Sequence, residues 1–358
     1  MSDLIVEVVA IDKIVPHGNA DALEVAVVKG WECIVKKDQF KAGNICIYFP
    51  VDSILTKELA DRIGVAQYLA PLRKGYLVPQ EFTNVEFSGR IRAARLRGRP
   101  SFGVLIPAEP SMMVGQNVKE QFSIIKWEPP ERLGVEDAAP RHALFHEYTD
   151  IQNFRNFPDL FLEGEEIVIT EKIHGTCSRT GLVRLDTREL EYMIGSHKVR
   201  RKVDAEKPSL YASTLSSNVR ELLRYTLEMK KANGVILFAE IFGSGIQDLH
   251  YGLNGKSFRA FDICVDFSYL NYSEFRGLCE MFQVQTVPEV YRGPFQNDLV
   301  GTLTGGKSLL YASQIREGIV IRPCVERRAE PLLNYSGRLI LKNISDEYYL
   351  RKEGTEFH

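Results

Sequence analysis

Ile167-Val168-Ile169-Thr170-Glu171-Lys172-Ile173-His174-Gly175 is the stretch on which the reading of this chain turns. An apolar run suited to a buried strand leads into a lysine, and a glycine-bearing turn follows. A lysine used as a nucleophile must lose its proton. It therefore needs a site that disfavours the ammonium or screens it with other cations. The end of a buried strand followed by a turn can meet that need. Alone, K-x-x-G is a weak signal, because the chain holds a second copy, Lys231-Ala232-Asn233-Gly234. That copy has a plain explanation, with Gly234 as the glycine just past a helix end. The rest of the chain must choose between the two.

Downstream, Phe238-Ala239-Glu240-Ile241-Phe242-Gly243 puts one carboxylate inside an apolar strand. Arg316-Glu317-Gly318-Ile319-Val320-Ile321-Arg322 does the same, and Leu341-Lys342-Asn343 puts a cation at the end of an apolar run. Charges that interrupt buried strands cost several kcal/mol unless paired or liganded. Together these interruptions call for a shared partner. A nucleotide with a divalent metal supplies one, with carboxylates on the metal or the ribose and lysines on phosphate.

In this order the segments resemble the motifs of covalent nucleotidyltransferases, the polynucleotide ligases and mRNA capping enzymes. Lys172 to Gly175 looks like the first motif and Phe238 to Gly243 like the third. Phe258 to Ile263 is similar to the aromatic segment after it, Glu317 to Ile321 to the fourth motif, and Leu341 with Lys342 to the fifth. The details resemble ATP-dependent RNA ligases: Gly243-Ser244-Gly245-Ile246-Gln247 after the third motif, and Phe258-Arg259-Ala260-Phe261-Asp262-Ile263 as the adenine-stacking segment. Lys342 stands close to the C-terminus, where DNA ligases and capping enzymes usually continue into an OB domain. The candidate barrel here lies in front, as in the RNA ligases with an N-terminal OB-like domain that seal nicks in duplexes.

The resemblance implies an α+β chain: an OB-like β-barrel domain over residues 1–123, a linker over 124–144 and an adenylyltransferase domain with antiparallel sheets over 145–358. It implies ATP and Mg²⁺ or Mn²⁺ as cofactors. Lys172 would take AMP, pass it to a 5′-phosphate end, and a 3′-OH would displace it. Lys342 would spread charge on the phosphate, Glu240 and Glu317 would hold ribose and metal, Phe258 would stack on adenine, and Ile173 would line the nucleotide. Arg155 reads equally as a phosphate contact or a plain surface residue. The chain departs from the family pattern at His174, where many ligases have Asp, and at Ile340, where a second lysine often stands. The basic residue expected near Gly195 is ambiguous among His197, Lys198 and Arg200.

Residues 1 to about 110 read as short strands punctuated by glycine, with Leu23 to Val28, Glu32 to Val35 and Ile45 to Phe49 among them, the pattern of a small barrel or sandwich. His17 to Asp21 is turn chemistry, and Lys57 to Ile63 reads as an inserted helix. Arg90, Arg92, Arg95, Arg97 and Arg99 alternate with Ile91, Leu96 and Gly98. On one strand most guanidiniums would share a face, giving a backbone clamp or else a charged, aggregation-resistant edge. Lys198 and Arg200, with Arg201 and Lys202, form a second candidate patch. Asp248, His250 and Tyr251 read best as a surface turn, Cys177 as packing, and His142 and His146 lack metal spacing. In the second half, Ser217 to Ala232 has helical spacing, and Val235 to Phe242, Phe258 to Val265, Gly318 to Ile321 and Leu339 to Lys342 read as strands.

The net charge of −2 makes no global case for nucleic acid, so any such case is local. The six cysteines are scattered, without a C-x-x-C pair, which disfavours zinc and disulfide frameworks and fits a reducing cytosol. Without a signal-peptide pattern or a membrane-length apolar run, a cytoplasmic monomer acting on RNA or an RNA-containing nicked duplex is expected, with no membrane partner. The alternatives are a DNA ligase, a GTP-using capping-type transferase, or a non-catalytic RNA-binding protein.

Overall fold

The structure is a computed structural model and describes residues 3–72, 80–82, 84–128, 137–204 and 206–351. They fall into two compact units that divide after Pro130.

The first unit is built from short antiparallel strands. In chain order they are β1 (Glu7–Ala10), β2 (Lys13–Pro16), β3 (Leu23–Val28), β4 (Trp31–Lys36), β5 (Ile45–Pro50), β6 (Ser53–Thr56), β7 (Phe87–Arg90), β8 (Ala94–Leu96), β9 (Arg99–Ser101), β10 (Gly103–Pro107) and β11 (Ile125–Lys126). They pair as β1-β5-β10, β11-β6-β7, β2-β3-β4 and β8-β9. Among the described residues these are separate small sheets, so the expected barrel is not closed. Val6, Val8, Ile47, Phe49, Leu55 and Ile124 form the main core. The expected inserted helix is α1 (Lys57–Arg62), capped by the Thr56 hydroxyl, which accepts from the Leu59 N–H at 3.2 Å. The stretch expected as a linker, 124–144, begins inside this unit. Ile125 pairs with Ile54, and Trp127 packs beside it. Residues 129–136, with Pro129 and Pro130, lie outside the described residues.

The second unit holds β12 (Gln152–Asn153), β13 (Glu166–Lys172), β14 (Thr176–Arg184), β15 (Leu190–Ser196), β16 (Arg200–Arg201), β17 (Gly234–Gly243), β18 (Lys256–Val265), β19 (Ser268–Tyr269), β20 (Glu289–Pro294), β21 (Gly318–Pro323) and β22 (Leu341–Ile344). One sheet runs β12-β22-β21-β13-β20 and the other β16-β15-β14-β17-β18-β19. The described pairs are antiparallel except β12 with β22. The helices are α2 (Ser217–Met229), α3 (Tyr272–Met281), α4 (Asn297–Thr304) and α5 (Asp346–Tyr349). This is the α+β class.

β17 is apolar almost throughout because it is central and covered on both faces. Val235 and Leu237 pack with Leu222 and Leu223 of α2, while Ile236 and Phe238 pack with Phe145 and Tyr148. Only Glu240 interrupts the run. α2 starts where the Ser216 hydroxyl accepts from the Val219 N–H at 3.3 Å. Its end corrects the sequence reading. The left-handed residue after the helix is Lys231, at φ 51°, and Gly234 is the first residue of β17. The second K-x-x-G is thus a helix terminus and strand start, with its lysine exposed to solvent.

Candidate active site

Alternation along β13 sorts its side chains. Ile167 and Ile169 share a core with Ile319, Ile321 and Leu341. Lys172 lies on the other face, in register with Gly318, where β13 ends. Thr170 pairs with Val320 and Val320 with Lys342, so both lysines occupy the same face of the sheet, two strands apart. Glu317 sits just before β21. Its Oε1 accepts a hydrogen bond from Lys172 Nζ at 2.8 Å. Glu240 reaches the same place from the second sheet, because the turn after Lys172 runs against β17. A Cβ added to Gly175 would stand 2.2 Å from the Ile241 carbonyl oxygen and 3.0 Å from Glu240 Cγ. The glycine of the first K-x-x-G is required by this close approach.

The electrostatics follow from drawing two carboxylates and one ammonium largely, though not wholly, out of water. Burial favours the neutral amine of Lys172, but Glu317 and Glu240 outweigh it and hold its pKa above the ordinary lysine value. Burial pushes the Glu240 carboxyl up to about 8 against the pull of Lys172, with Glu317 adding to the rise and the Gly175 N–H opposing it. Beside Lys172, the Glu171 carboxyl is also buried and raised by burial, although Ser308 and the Leu309 N–H oppose the rise. The Leu309 N–H donates to Glu171 Oε2 at 2.7 Å, which ties that loop to the strand end.

Three expected site residues lie nearby in the fold. Ile173 is buried with Phe242, Tyr251 and Val287 under the turn. Phe258 pairs with Ile241, one register step from the Glu240–Arg259 pair, and is half-buried against the α2 and α3 core. A register shift after Phe238 leaves Phe261 as the extra residue on β18. Asn153 runs parallel beside Lys342, and Arg155 follows it, donating from Nη2 to Asp346 Oδ1 at 3.2 Å.

Two readings of the surroundings change. Tyr251 is not in a surface turn. It is buried, and its hydroxyl accepts from the His174 N–H at 2.6 Å. Asp248 bonds His174 Nε2 through Oδ1 at 2.9 Å, while His174 Nδ1 meets the Tyr348 hydroxyl at 3.0 Å. The sequence carried no periodic or motif signal for Tyr348 or Arg351, because they lie beyond the last strand. His142 and His146 serve locally, His142 accepting from the Leu144 N–H and His146 stacking on Phe267. Cys177 is held as a thiol by burial.

The arginine series does not lie on one strand. Arg90 ends β7 and is buried, with its guanidinium 2.7 Å from Asp52 and 3.4 Å from the Trp127 ring centroid. It is committed to partners inside its own unit. Arg99 pairs with Glu32 at 3.2 Å. Arg92, Arg95 and Arg97 are exposed. Arg97 and Gly98 are the two central residues of the β8–β9 hairpin, with φ of 49° and 88°, so Arg97 stands at its tip. In the second patch, Arg200 is bonded to Glu191 and to the Pro140 carbonyl, which ties it down, while Lys198 lies in the turn between β15 and β16.

Among the described residues no three His, Cys, Asp or Glu side chains gather as a metal cluster. Glu317 Oε2 is buried without a hydrogen-bond partner among those residues, and Glu240 is close enough to feel its charge. Two carboxylates with one orphaned oxygen fit a divalent cation whose remaining ligands come from substrate phosphates. The arrangement sets Lys172 beside a carboxylate and on the same sheet face as a second cation, Lys342.

An RNA ligase family model matches residues 165–344, and an OB-fold domain model matches residues 5–108. No curated protein matches the chain. Among solved structures, the chain is similar to a mutant Naegleria gruberi RNA ligase with AMP and Mn. The TM-score is 0.76 and the identity 24%, over 97% of this chain and 98% of that one. A second mutant of that ligase, with ATP and Mn, gives a TM-score of 0.73 at 23% identity over 96% and 98%. The ligase with PPi gives 0.72 at 24% over 97% and 98%. At this identity the likeness establishes the fold: an N-terminal OB-fold domain followed by a nucleotidyltransferase-like domain.

Proposed function

The chain belongs to the RNA ligase family, and from that premise we propose that it is an ATP-dependent RNA ligase that seals 3′-OH/5′-phosphate nicks through an adenylate on Lys172. The observation that carries the reading is the meeting of Lys172 with Glu317 at 2.8 Å, within the field of Glu240 and on the same sheet face as Lys342.

The neutral Lys172 amine attacks the α-phosphorus of ATP in line. An N–P bond forms, the bond to the bridging oxygen breaks, and pyrophosphate leaves with that electron pair. The amine must first be deprotonated, and in the resting site Glu317 opposes this, joined by Glu240 when Glu240 is ionised. Glu240 and Glu317 would hold a divalent cation, Mg²⁺ or Mn²⁺, which supplies charge screening on the phosphate oxygens. With those carboxylates so occupied, burial becomes the dominant influence on Lys172 and favours the amine. Lys342 offsets charge on the phosphate from the same sheet face. Phe258 would offer a ring for adenine, Glu240 would reach the ribose, and Arg155, two residues after the Asn153 that pairs with Lys342, would take a phosphate or strand end. AMP then passes to the oxygen of a 5′-phosphate, and the 3′-OH attacks that phosphate and releases AMP.

The OB-fold domain supports a duplex substrate. Its exposed Arg92, Arg95 and Arg97 can follow a phosphate backbone without reading sequence. Lys198, in the turn after β15, is the better candidate of the second patch. We place the enzyme in the cytoplasm as a monomer. No helix among the described residues is long and apolar enough to cross a membrane. The test is a ligation panel offering every RNA and DNA combination at the two sides of a nick, with single strands, and with ATP or GTP. Sealing of nicks with RNA at the 3′-OH side and with ATP alone is expected. Label on the protein from GTP and none from ATP would sink the reading.

A further inference from the structure

One short segment that no motif covers is bonded both to the backbone at Glu317 and to the side chain two residues after Lys172. Ser345 follows β22 directly, and its N–H donates to the Glu317 carbonyl at 2.9 Å. The Ser345 hydroxyl donates to the Arg316 carbonyl at 2.9 Å. Three residues later, the buried Tyr348 hydroxyl meets His174 Nδ1 at 3.0 Å, with the two rings edge-on at 5.2 Å. Arg351 lies over the Tyr348 ring at 3.5 Å and donates from Nε to Asp248 Oδ2 at 3.1 Å, while Asp248 Oδ1 holds the other nitrogen of His174. His174 is thereby fixed on both ring nitrogens, and its Nδ1 stands 3.9 Å from Glu317 Oε2.

We propose that residues 345–351 act as a strap that sets the geometry of the Lys172–Glu317 pair, with Tyr348 as its positioning residue. The reasoning is geometric. Lys172 is carried by the end of β13 and Glu317 by the start of β21, and the turn at His174 follows the first of these. The strap is bonded to the backbone around Glu317 and to the side chain two residues after Lys172. A shift of the turn is therefore resisted on the nucleophile's side and on the carboxylate's side together. Reacting groups lose rate steeply when displaced by about an ångström, so such a clamp affects the chemical step more than nucleotide affinity. Tyr348 does not touch the reacting atoms and acts through His174.

This inference rests on the adenylation reading above, and the experiment separates the two. Transfer of label from α-labelled ATP to the protein is followed in single turnovers across ATP concentrations. Tyr348→Phe removes one hydroxyl and leaves the ring under Arg351. Its maximal labelling rate is expected to fall about ten-fold, the scale of one buried hydrogen bond lost from the reacting arrangement, with half-saturating ATP unchanged. In a His174→Gln background, Tyr348→Phe should add no further loss. Wild-type rate in Tyr348→Phe, a change in half-saturating ATP alone, or a full further loss in the double variant would overturn the strap. Absence of label on the wild-type protein would overturn the adenylation reading and the strap with it. Should Tyr348→Phe melt well below wild type, Arg351→Gln, which releases Asp248, takes its place with the same expected and refuting results.

Discussion

Glu240 places a carboxyl in a central strand, and the cost of that placement is measurable as a pH dependence of stability. Its pKa is raised from the ordinary 4.5 to about 8 in the folded chain, chiefly by burial. Between those values the folded chain keeps a proton that the unfolded chain releases. Stability is therefore fullest below about pH 4.5 and is lost as pH rises toward 8. Each pH unit crossed costs about 1.4 kcal/mol, so wild type loses about 3 kcal/mol between pH 5 and 7.5 through this group. Glu240→Gln has nothing to ionise and keeps that stability. For a domain of this size the difference corresponds to a melting shift on the order of 10 °C. The assay is thermal melting of both ligand-free proteins across pH 5 to 7.5. Glu171, whose rise does not involve Glu240, contributes the same slope to both proteins, so the difference reports on Glu240 and the Glu317 coupled to it. The variant should melt near wild type at pH 5 and clearly above it at pH 7.5. Parallel curves would refute the reasoning, because Glu240 would then ionise freely in the folded chain.

The arginines of the first unit should separate into two classes. Arg90→Ala removes the Asp52 ion pair and the Trp127 stack, and should lower stability by about 2 to 3 kcal/mol in denaturant titrations; an unchanged midpoint would show that the pair adds nothing. Arg95→Gln with Arg97→Asn, the asparagine chosen to tolerate the left-handed turn position, should leave the midpoint alone. That pair of changes should lower the salt slope of RNA binding by about 2. Unaltered affinity and slope would remove the hairpin from the nucleic-acid surface.

The parts of this fold that show in the sequence are those where burial forces composition. β17, covered on both faces, is apolar save for Glu240, so strand and exception stand out together. β13 and β21 are read for the same reason. β14 is harder, because Ser178, Arg179 and Thr180 are buried there in hydrogen bonds, and polar letters conceal a central strand. α3 has only ten residues, and its acidic and arginine positions blur the helical stripe. Alternation along the arginine series suggests one strand, but the chain turns within it. Arg97-Gly98 is instead a hairpin turn, and Arg90 is aimed inward by Asp52, distant in sequence. His174 was legible as a departure from the family pattern. Its partners Asp248 and Tyr348 were not, since only folding brings a loop and a later segment to the same ring.

The ordered carboxylates and lysines, and not the K-x-x-G tetrapeptide, single out Lys172; the second copy sits at a helix end with Lys231 exposed. The direct measurement is covalent labelling by α-labelled ATP with Mn²⁺, followed by peptide mapping, on wild type, Lys172→Ala and Lys231→Ala. Label on Lys172 in wild type, full labelling of Lys231→Ala and none on Lys172→Ala is the expected result. Label that survives Lys172→Ala and disappears in Lys231→Ala would contradict the account.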